Sequence, residues 1–164
     1  MLSNEERRKV KGRFEMPSVE GKNKARESIA FETGSLSPKE IEAIFETLPV
    51  EITFVDANDT IRYYSKAKGR IFPRTKAIIG RKVQQCHPQK SIHIVNRVID
   101  DLKQGRRKSA DFWIDVQGRK IYIRYFSVRN EKGEHIGILE VSQDITEIQK
   151  LKGERRLLDE IPKT

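Results

Sequence analysis

Three side chains near the middle of the chain could do chemistry: Cys86, His87 and His93. Histidine is the commonest metal ligand in proteins, so His87 or His93 could hold a haem iron or another metal ion. Cys86 is the only cysteine, and the basic residues around it could lower its pKa and make it redox-active. Each residue also has a structural interpretation, since His87 and Pro88 could simply form a turn and Cys86 could be a buried thiol.

The sequence around His93 predicts that this side chain points away from the core. Residues 90–103 predict a helix that ends at Gly105. Successive residues of a helix are separated by about 100°. Five of its apolar residues fall within about one third of the circumference, and they are Ile92, Val95, Val98, Ile99 and Leu102. His93 points nearly opposite, so we expect it to face solvent or a partner.

The sequence contains none of the common catalytic motifs: no phosphate-binding glycine loop, no G-x-S-x-G, no H-E-x-x-H and no C-x-x-C. We therefore predict a protein without enzymatic activity. No apolar run approaches the roughly 20 residues that span a bilayer, and the first residues lack the apolar segment of a signal peptide. A single cysteine cannot form an internal disulfide. Together these features predict a cytoplasmic location.

Positive charge is concentrated in residues 66–108, here called the basic segment. The 164-residue chain has a net charge of +9, and this segment holds thirteen Lys and Arg against two acids, a balance of +11 that leaves −2 for the rest. Such a segment could bind nucleic acid or another anionic partner, or it could be a solvated face. Nucleic-acid modules usually carry aromatic residues for stacking, and the basic segment has only Phe72. This favours the solvated face.

The elements that position these residues centre on residues 112–146. Period-2 alternation predicts three antiparallel strands, at Phe112–Val116, Ile121–Val128 and Ile136–Ser142. The middle strand has two apolar faces, one with Ile121, Ile123 and Tyr125 and one with Tyr122, Arg124, Phe126 and Val128. The pattern does not decide which face is buried. If the second face points inward, Arg124 could bind an anion.

The upstream half predicts a helix followed by a hairpin. Ser37, Pro38 and Glu40 form a capping pattern that starts a helix over residues 37–48. Strands are predicted at Val50–Val55 and Ile61–Tyr64, and we expect the first of these to lie beside Ile136–Ser142. Residues 1–36 show no clear period and predict a charged N-terminal tail.

The apolar spacing becomes helical again from Asp144, which with Glu147 forms a capping pattern. This predicts a C-terminal helix or tail over residues 147–164, in which Gly153 costs about 1 kcal/mol relative to alanine. We expect homodimerisation through the two flanking helices. Their apolar residues are Ile41, Ile44, Phe45 and Leu48 in the first helix and Ile148, Leu151 and Leu158 in the second.

The order of elements predicts an α+β fold with a five-stranded antiparallel sheet that helices cover on one face. Three segments resemble parts of a PAS domain, in the right order. V-E-I-T-F-V-D-A-N-D-T-I-R-Y-Y-S resembles the opening hairpin, and I-G-R-K-V-Q-Q-C-H-P resembles the stretch that leads into the long helix. Trp113–Thr146 resembles the C-terminal half with its exit motif. The resemblance places the PAS domain at residues 37–146.

A narrower resemblance concerns one PAS subfamily, carried by F-P-R at residues 72–74, C-H-P at 86–88, S-I-H-I-V at 91–95 and D-I-T-E-I at 144–148. In that subfamily the PAS module commonly follows a hemerythrin-like di-iron domain and a domain of unknown function. A hemerythrin-type site needs about seven His and carboxylate ligands, and this chain has three His. The resemblance therefore does not imply iron binding here.

The resemblance implies a sensor or interaction module that binds a small ligand or a partner protein and transmits the change through the exit residues Asp144, Ile145 and Thr146. It implies cavity candidates at Phe54, Ile79, Val95, Ile99, Trp113, Arg124 and Tyr125. Haem-binding members use a histidine on the long helix, so a haem- or metal-dependent redox or gas sensor using His87 or His93 is the alternative. The Asn-Cys-Arg-Phe pattern of flavin-binding light sensors is absent around Cys86.

Overall fold

A computed structural model describes residues 28–66 and 69–157 of the chain. Residues 29–36, within the predicted tail, form an antiparallel hairpin of β1 (Ile29–Phe31) and β2 (Gly34–Leu36). The sequence pattern did not predict this hairpin, and the assignment of residues 1–36 to an N-terminal tail stays a prediction. Gly34 has a φ of +147°, which makes the tight turn possible. The rest of the predicted tail, residues 1–27, lies outside the described residues.

The PAS-like part of the chain forms its elements in the predicted order. The helices are α1 (Pro38–Thr47) and α2 (Ile92–Lys103). The strands are β3 (Glu51–Asp56), β4 (Ile61–Tyr64), β5 (Ser109–Val116), β6 (Arg119–Arg129) and β7 (His135–Asp144). Between β4 and α2 run three single turns of 3₁₀ helix, at Lys76–Ile78, Val83–Cys86 and Gln89–Ser91. Gly69 and Gly80, both with positive φ, interrupt this stretch.

The five strands form one antiparallel sheet in the order β4-β3-β7-β6-β5. β7 is the central strand and pairs with β3 on one side and β6 on the other. Phe54 lies opposite Leu139, so the expected pairing of the first predicted strand with the last is confirmed. The predicted α+β fold with a five-stranded antiparallel sheet is also confirmed.

The face of the sheet that packs against α2, here called the inner face, holds the hydrophobic core. The sheet contributes Val55, Ile61 and Ile138 to the buried cluster, and α2 contributes Ile99 and Leu102. Tyr125 packs against this cluster. Arg124 precedes Tyr125 on β6 and therefore points to the opposite face of the sheet. The inner side of β6 is therefore the side with Ile121, Ile123 and Tyr125.

The opposite face, here called the outer face, requires a glycine at its centre. A Cβ at Gly137 would lie 2.4 Å from the carbonyl oxygen of Val55 and 2.6 Å from the ring of Phe54. Both distances are too short for any side chain. Phe54 thus packs directly over the β7 backbone and away from α2.

Helix α1 contacts the outer face through Phe45, whose ring lies 5.8 Å from that of Tyr63. Tyr63 lies opposite Phe54 in the sheet, which places both rings on the outer face. Phe45 is therefore used inside the domain. Its predicted place on a dimerisation surface stays a prediction.

Up to residue 157, where the described part of the chain ends, the helix predicted from Asp144 onward is not formed. One 3₁₀ turn, Ile148–Lys150, follows β7. Leu151 then adopts an extended backbone and Gly153 has a φ of +64°, so the chain leaves the helical path. Leu158, the last apolar residue of the predicted helix, lies outside the described residues.

Candidate functional site

A cavity of about 220 Å³ lies between α2 and the inner face of the sheet. Its walls are mostly apolar: α2 contributes Val95, Val98, Ile99 and Leu102, and the sheet contributes Val55, Phe112 and Ile138. A cavity that holds benzene has a volume of about 150 Å³, so this one has room for a molecule on the order of ten non-hydrogen atoms.

One end of the cavity is polar, because His87, Tyr125 and Glu140 line it. Tyr125 on β6 lies directly opposite Glu140 on β7. Such cross-strand neighbours have Cβ atoms about 5 Å apart. Burial raises the pKa of Tyr125, and the carboxylate of Glu140 acts in the same direction. Burial lowers the pKa of His87, and the positive charge of Arg74 adds to that effect, so the imidazole is held neutral.

Behind the polar end lies a cluster of four charged side chains: Glu51, which is buried, and Arg70, Arg74 and Glu140, which are mostly buried. Nη2 of Arg70 lies 3.1 Å from a carboxylate oxygen of Glu51, and the two side chains are 11% and 6% exposed. Nη2 of Arg74 lies 3.3 Å from both carboxylate oxygens of Glu140. Two positive and two negative groups balance, which is what a buried ionic cluster needs.

The two arginines belong to one segment, residues 70–74, which crosses the polar half of the inner face. Glu51 accepts a hydrogen bond from the backbone N–H of Ile71 and a longer one, 3.5 Å, from that of Phe72. Arg70 donates through Nε to the carbonyl of Phe72 at 3.1 Å and through Nη1 to the carbonyl of Ser65. The side chains of the cluster therefore hold a stretch that has no regular secondary structure.

Burial dominates the electrostatics of Glu140. It raises the pKa of this carboxyl, and the charges of Arg74 and Arg70 oppose the rise without cancelling it. Burial likewise lowers the pKa of Arg70, against the opposing charge of Glu51. Both ion pairs thus lie where water is largely excluded, and in each pair the carboxylate and the guanidinium stabilise each other.

Four of the predicted site residues lie at the cavity: Val95, Ile99, Tyr125 and His87. Phe54, Trp113 and Arg124 lie on the outer face, and Ile79 is 44% exposed. These four residues do not line this cavity, and a ligand-binding role for any of the candidates stays a prediction. Alternation alone could not separate the two faces, because each carries aromatic residues.

Arg124 is held by aromatic rings instead of an anion. Its guanidinium carbon lies 5.1 Å from the ring centre of Tyr122 and 5.6 Å from that of Phe126. Such cation–π contacts stabilise a partly exposed arginine. Trp113 is 64% exposed on the neighbouring strand.

His93 is exposed on α2, as the helical wheel predicts, and Cys86 is half-buried against the core. In the part of the chain that the structure describes, no group of three or more His, Cys, Asp and Glu residues could hold a metal ion. None of the described helices is long and apolar enough to cross a membrane. The basic segment is partly neutralised, since Lys103 pairs with Asp59 at 2.6 Å and Arg107 with Asp101 at 2.9 Å.

The exit residues form a compact turn at the end of β7. Oδ1 of Asp144 accepts hydrogen bonds from the backbone N–H of Thr146 at 2.9 Å and from its hydroxyl at 2.5 Å. The same hydroxyl oxygen accepts from the backbone N–H of Lys120 at 2.9 Å, and the N–H of Ile145 donates to the Lys120 carbonyl. The hydroxyl of Thr146 is the main cause of the lowered pKa of Asp144.

The residues that sequence reasoning missed are the charges of the cluster, above all Glu140. A signal was present: Glu140 is the only charged residue in the run I-G-I-L-E-V-S of β7. A charged side chain within a strand that has neighbours on both sides needs a buried partner. The partner could not be named, because Arg74 lies 66 residues away along the chain.

The order of the sheet strands and the long helix over the inner face are those of a PAS domain, a class of generally sensory and non-enzymatic modules. The chain belongs to the PAS domain family, whose model matches residues 41–146. The resemblance predicted from the three sequence segments is thereby confirmed. The narrower subfamily stays a prediction.

Two solved structures illustrate the relationship. The C-terminal domain of a protein from Streptococcus mutans is 33% identical and has a TM-score of 0.73; the match covers 77% of this chain and 98% of that one. The PAS domain of a protein from Colwellia psychrerythraea is 20% identical with a TM-score of 0.51, over 66% of this chain and 97% of that one, and shares the fold. No curated protein matches this chain.

Proposed function

We propose that this PAS domain is a sensor module without enzymatic activity that binds a small ligand between α2 and the sheet. The observation that carries the proposal is the cavity of about 220 Å³, with an apolar wall and polar groups at one end. Ligand sites in proteins typically combine an apolar wall with a few placed polar groups that orient the ligand.

In this proposal the bound ligand changes how α2 packs on the sheet, and the change leaves through Asp144, Ile145 and Thr146. The position of β7 supports this route, because Ile138 and Glu140 line the cavity and Asp144 ends the same strand. A ligand shifts such an equilibrium only as far as it binds one arrangement more tightly than the other.

The test is a variant that fills the cavity. Val98 lines the cavity on α2, so Val98→Phe should occupy the space, whereas Asn96→Phe adds the same ring on the exposed side of the helix. Native mass spectrometry of the proteins as purified, followed by thermal shifts with a library of small molecules, measures binding. We expect ligands to bind wild type and Asn96→Phe but not Val98→Phe. Binding that survives in Val98→Phe, or no binding by wild type, would refute the proposal.

We also propose that the domain forms a homodimer through its flanking segments. Ile44 on α1 and Leu48 directly after it are 44% and 41% exposed, and Ile148 and Leu151 after the exit turn are 49% and 77% exposed. Exposed apolar groups of this kind support an interface, since large apolar residues are costly to leave in water. Light scattering over a concentration series should give the mass of a dimer, and Ile44→Asp should weaken it. A monomer at the highest concentration would contradict this part of the proposal.

A further inference from the structure

The apolar wall and the polar end of the cavity favour different chemical groups in a ligand. Most of the wall is aliphatic or aromatic, so it suits an apolar body of about the size of a substituted benzene ring. The polar end presents Tyr125, Glu140 and His87. The chemistry of this end decides which head group the ligand carries.

The polar end has no spare charge. Glu51, Arg70, Arg74 and Glu140 form two ion pairs whose charges sum to zero. A ligand with its own charge would leave that charge buried without a partner, and an unpaired buried charge is strongly destabilising. This balance disfavours both anionic and cationic head groups.

The positions of Glu140 and Arg74 relative to the cavity also disfavour an anionic ligand. Glu140 lines the cavity, and Arg74 lies behind it, in contact with both carboxylate oxygens. An anionic ligand would therefore meet the carboxylate before the guanidinium. Like charges at this range repel strongly where water is excluded.

The three groups at the polar end differ in the hydrogen bonds that they can make. Tyr125 carries a hydroxyl, neutral His87 has one donor and one acceptor nitrogen, and the carboxylate of Glu140 accepts only. A ligand head that donates to Glu140 and accepts from Tyr125 satisfies both at once. These two residues are directly opposite each other on β6 and β7, so one small group can reach both.

On the premise that the cavity is the ligand site, we propose that its ligand is a neutral, mainly apolar molecule with one hydroxyl or amide group, which donates a hydrogen bond to Glu140 and accepts one from Tyr125. The ligand has on the order of ten non-hydrogen atoms, as the cavity volume requires.

Four compounds that share one ring and differ in the head group test this proposal: phenethyl alcohol, phenylacetate, phenethylammonium and propylbenzene. Calorimetry and thermal shifts at neutral pH measure their binding to the full chain. We expect phenethyl alcohol to bind roughly tenfold or more tightly than each of the other three, a difference of about 1.4 kcal/mol. Phenylacetate or phenethylammonium binding as tightly as the alcohol would overturn the proposal.

Two variants assign the effect to named groups. Tyr125→Phe should weaken binding of the alcohol and leave propylbenzene binding unchanged. Glu140→Gln leaves Arg74 without its partner, so phenylacetate should now bind and raise the unfolding temperature of this variant more than that of wild type. Phenylacetate that has no effect on a folded Glu140→Gln protein would contradict the charge argument.

The outcome also separates this inference from the proposed function. If propylbenzene binds wild type but not Val98→Phe, and the head group makes no difference, the cavity is a ligand site and only the inference on ligand class fails. If none of the four compounds binds wild type and the wider library also fails, the proposed ligand site itself is refuted.

Discussion

The buried ion pair between Arg70 and Glu51 should be essential to the stability of the domain. The side chains are 11% and 6% exposed, and the two charged atoms lie 3.1 Å apart. Glu51→Gln removes the negative charge and leaves the guanidinium buried without a partner. Breaking a buried pair in this way costs about 3–5 kcal/mol. The backbone N–H of Ile71 also loses its ionised acceptor.

Urea unfolding followed by circular dichroism measures this loss. Small domains lose about 1–3 kcal/mol of unfolding free energy per molar urea, so the midpoint should fall by 1 M or more. The double variant Glu51→Gln with Arg70→Met should recover much of the loss, because it buries no unpaired charge. Glu42→Gln is the matched control, since its partner Lys66 is 62% exposed and the pair should contribute little.

Two results would refute this reasoning. A midpoint of Glu51→Gln equal to that of wild type would mean that the pair is not buried in solution. A double variant as unstable as the single one would mean that packing around Glu51, and not an unpaired guanidinium, causes the loss. The cycle separates these cases because it measures coupling between the two residues.

Three further predictions concern the sheet, the cavity and the exit. Gly137→Ala should cost about 3 kcal/mol of unfolding free energy, because the methyl would overlap the adjacent strand. The control Gly133→Ala, in open space at a φ of +79°, should cost only about 1 kcal/mol. Equal losses of the two variants in urea unfolding would contradict the steric argument. Burial holds the pKa of His87 below its value in the unfolded chain, so the unfolded state takes up the proton first as the pH falls. The unfolding free energy should therefore fall as the pH drops below about 6.5. His87→Gln should reduce this fall, and pH profiles of stability that superimpose for wild type and variant would refute the prediction. Thr146→Val should speed hydrogen exchange at the Lys120 amide while Thr146→Ser preserves protection, whereas equal exchange rates would show that the hydroxyl does not hold the exit turn.

The strands and the long helix could be predicted from the sequence because their signals are local. Period-2 alternation marks a strand wherever one face is buried, and the wheel of α2 places His93 correctly on the exposed side. The choice of the inner face of β6 could not be made in this way. Tyr125 and Tyr122 are equally suitable for a core by residue type, and only the packing of α2 on the side of Tyr125 decides between them.

The ionic cluster could not be predicted, because its pairs join distant parts of the chain. Arg74 and Glu140 are separated by 66 residues, and Glu51 meets the segment of Arg70 only after β3 has joined the sheet. The absence of the predicted C-terminal helix, in contrast, has a local cause. The capping bond at Asp144 is present, but the helical path ends where Leu151 adopts an extended backbone, two residues before the left-handed Gly153.

The position of β7 gives a physical reason why the exit turn suits a sensor. The strand is held rigidly along its length, since β3 and β6 flank it on both sides. Its end is held by far less, chiefly by the bonds that Thr146 makes with Asp144 and Lys120. Regions held by few bonds open at low free-energy cost, and switching elements are drawn from such regions. If the proposed ligand binds at Glu140, it contacts a strand that is paired on both sides and that ends in this turn.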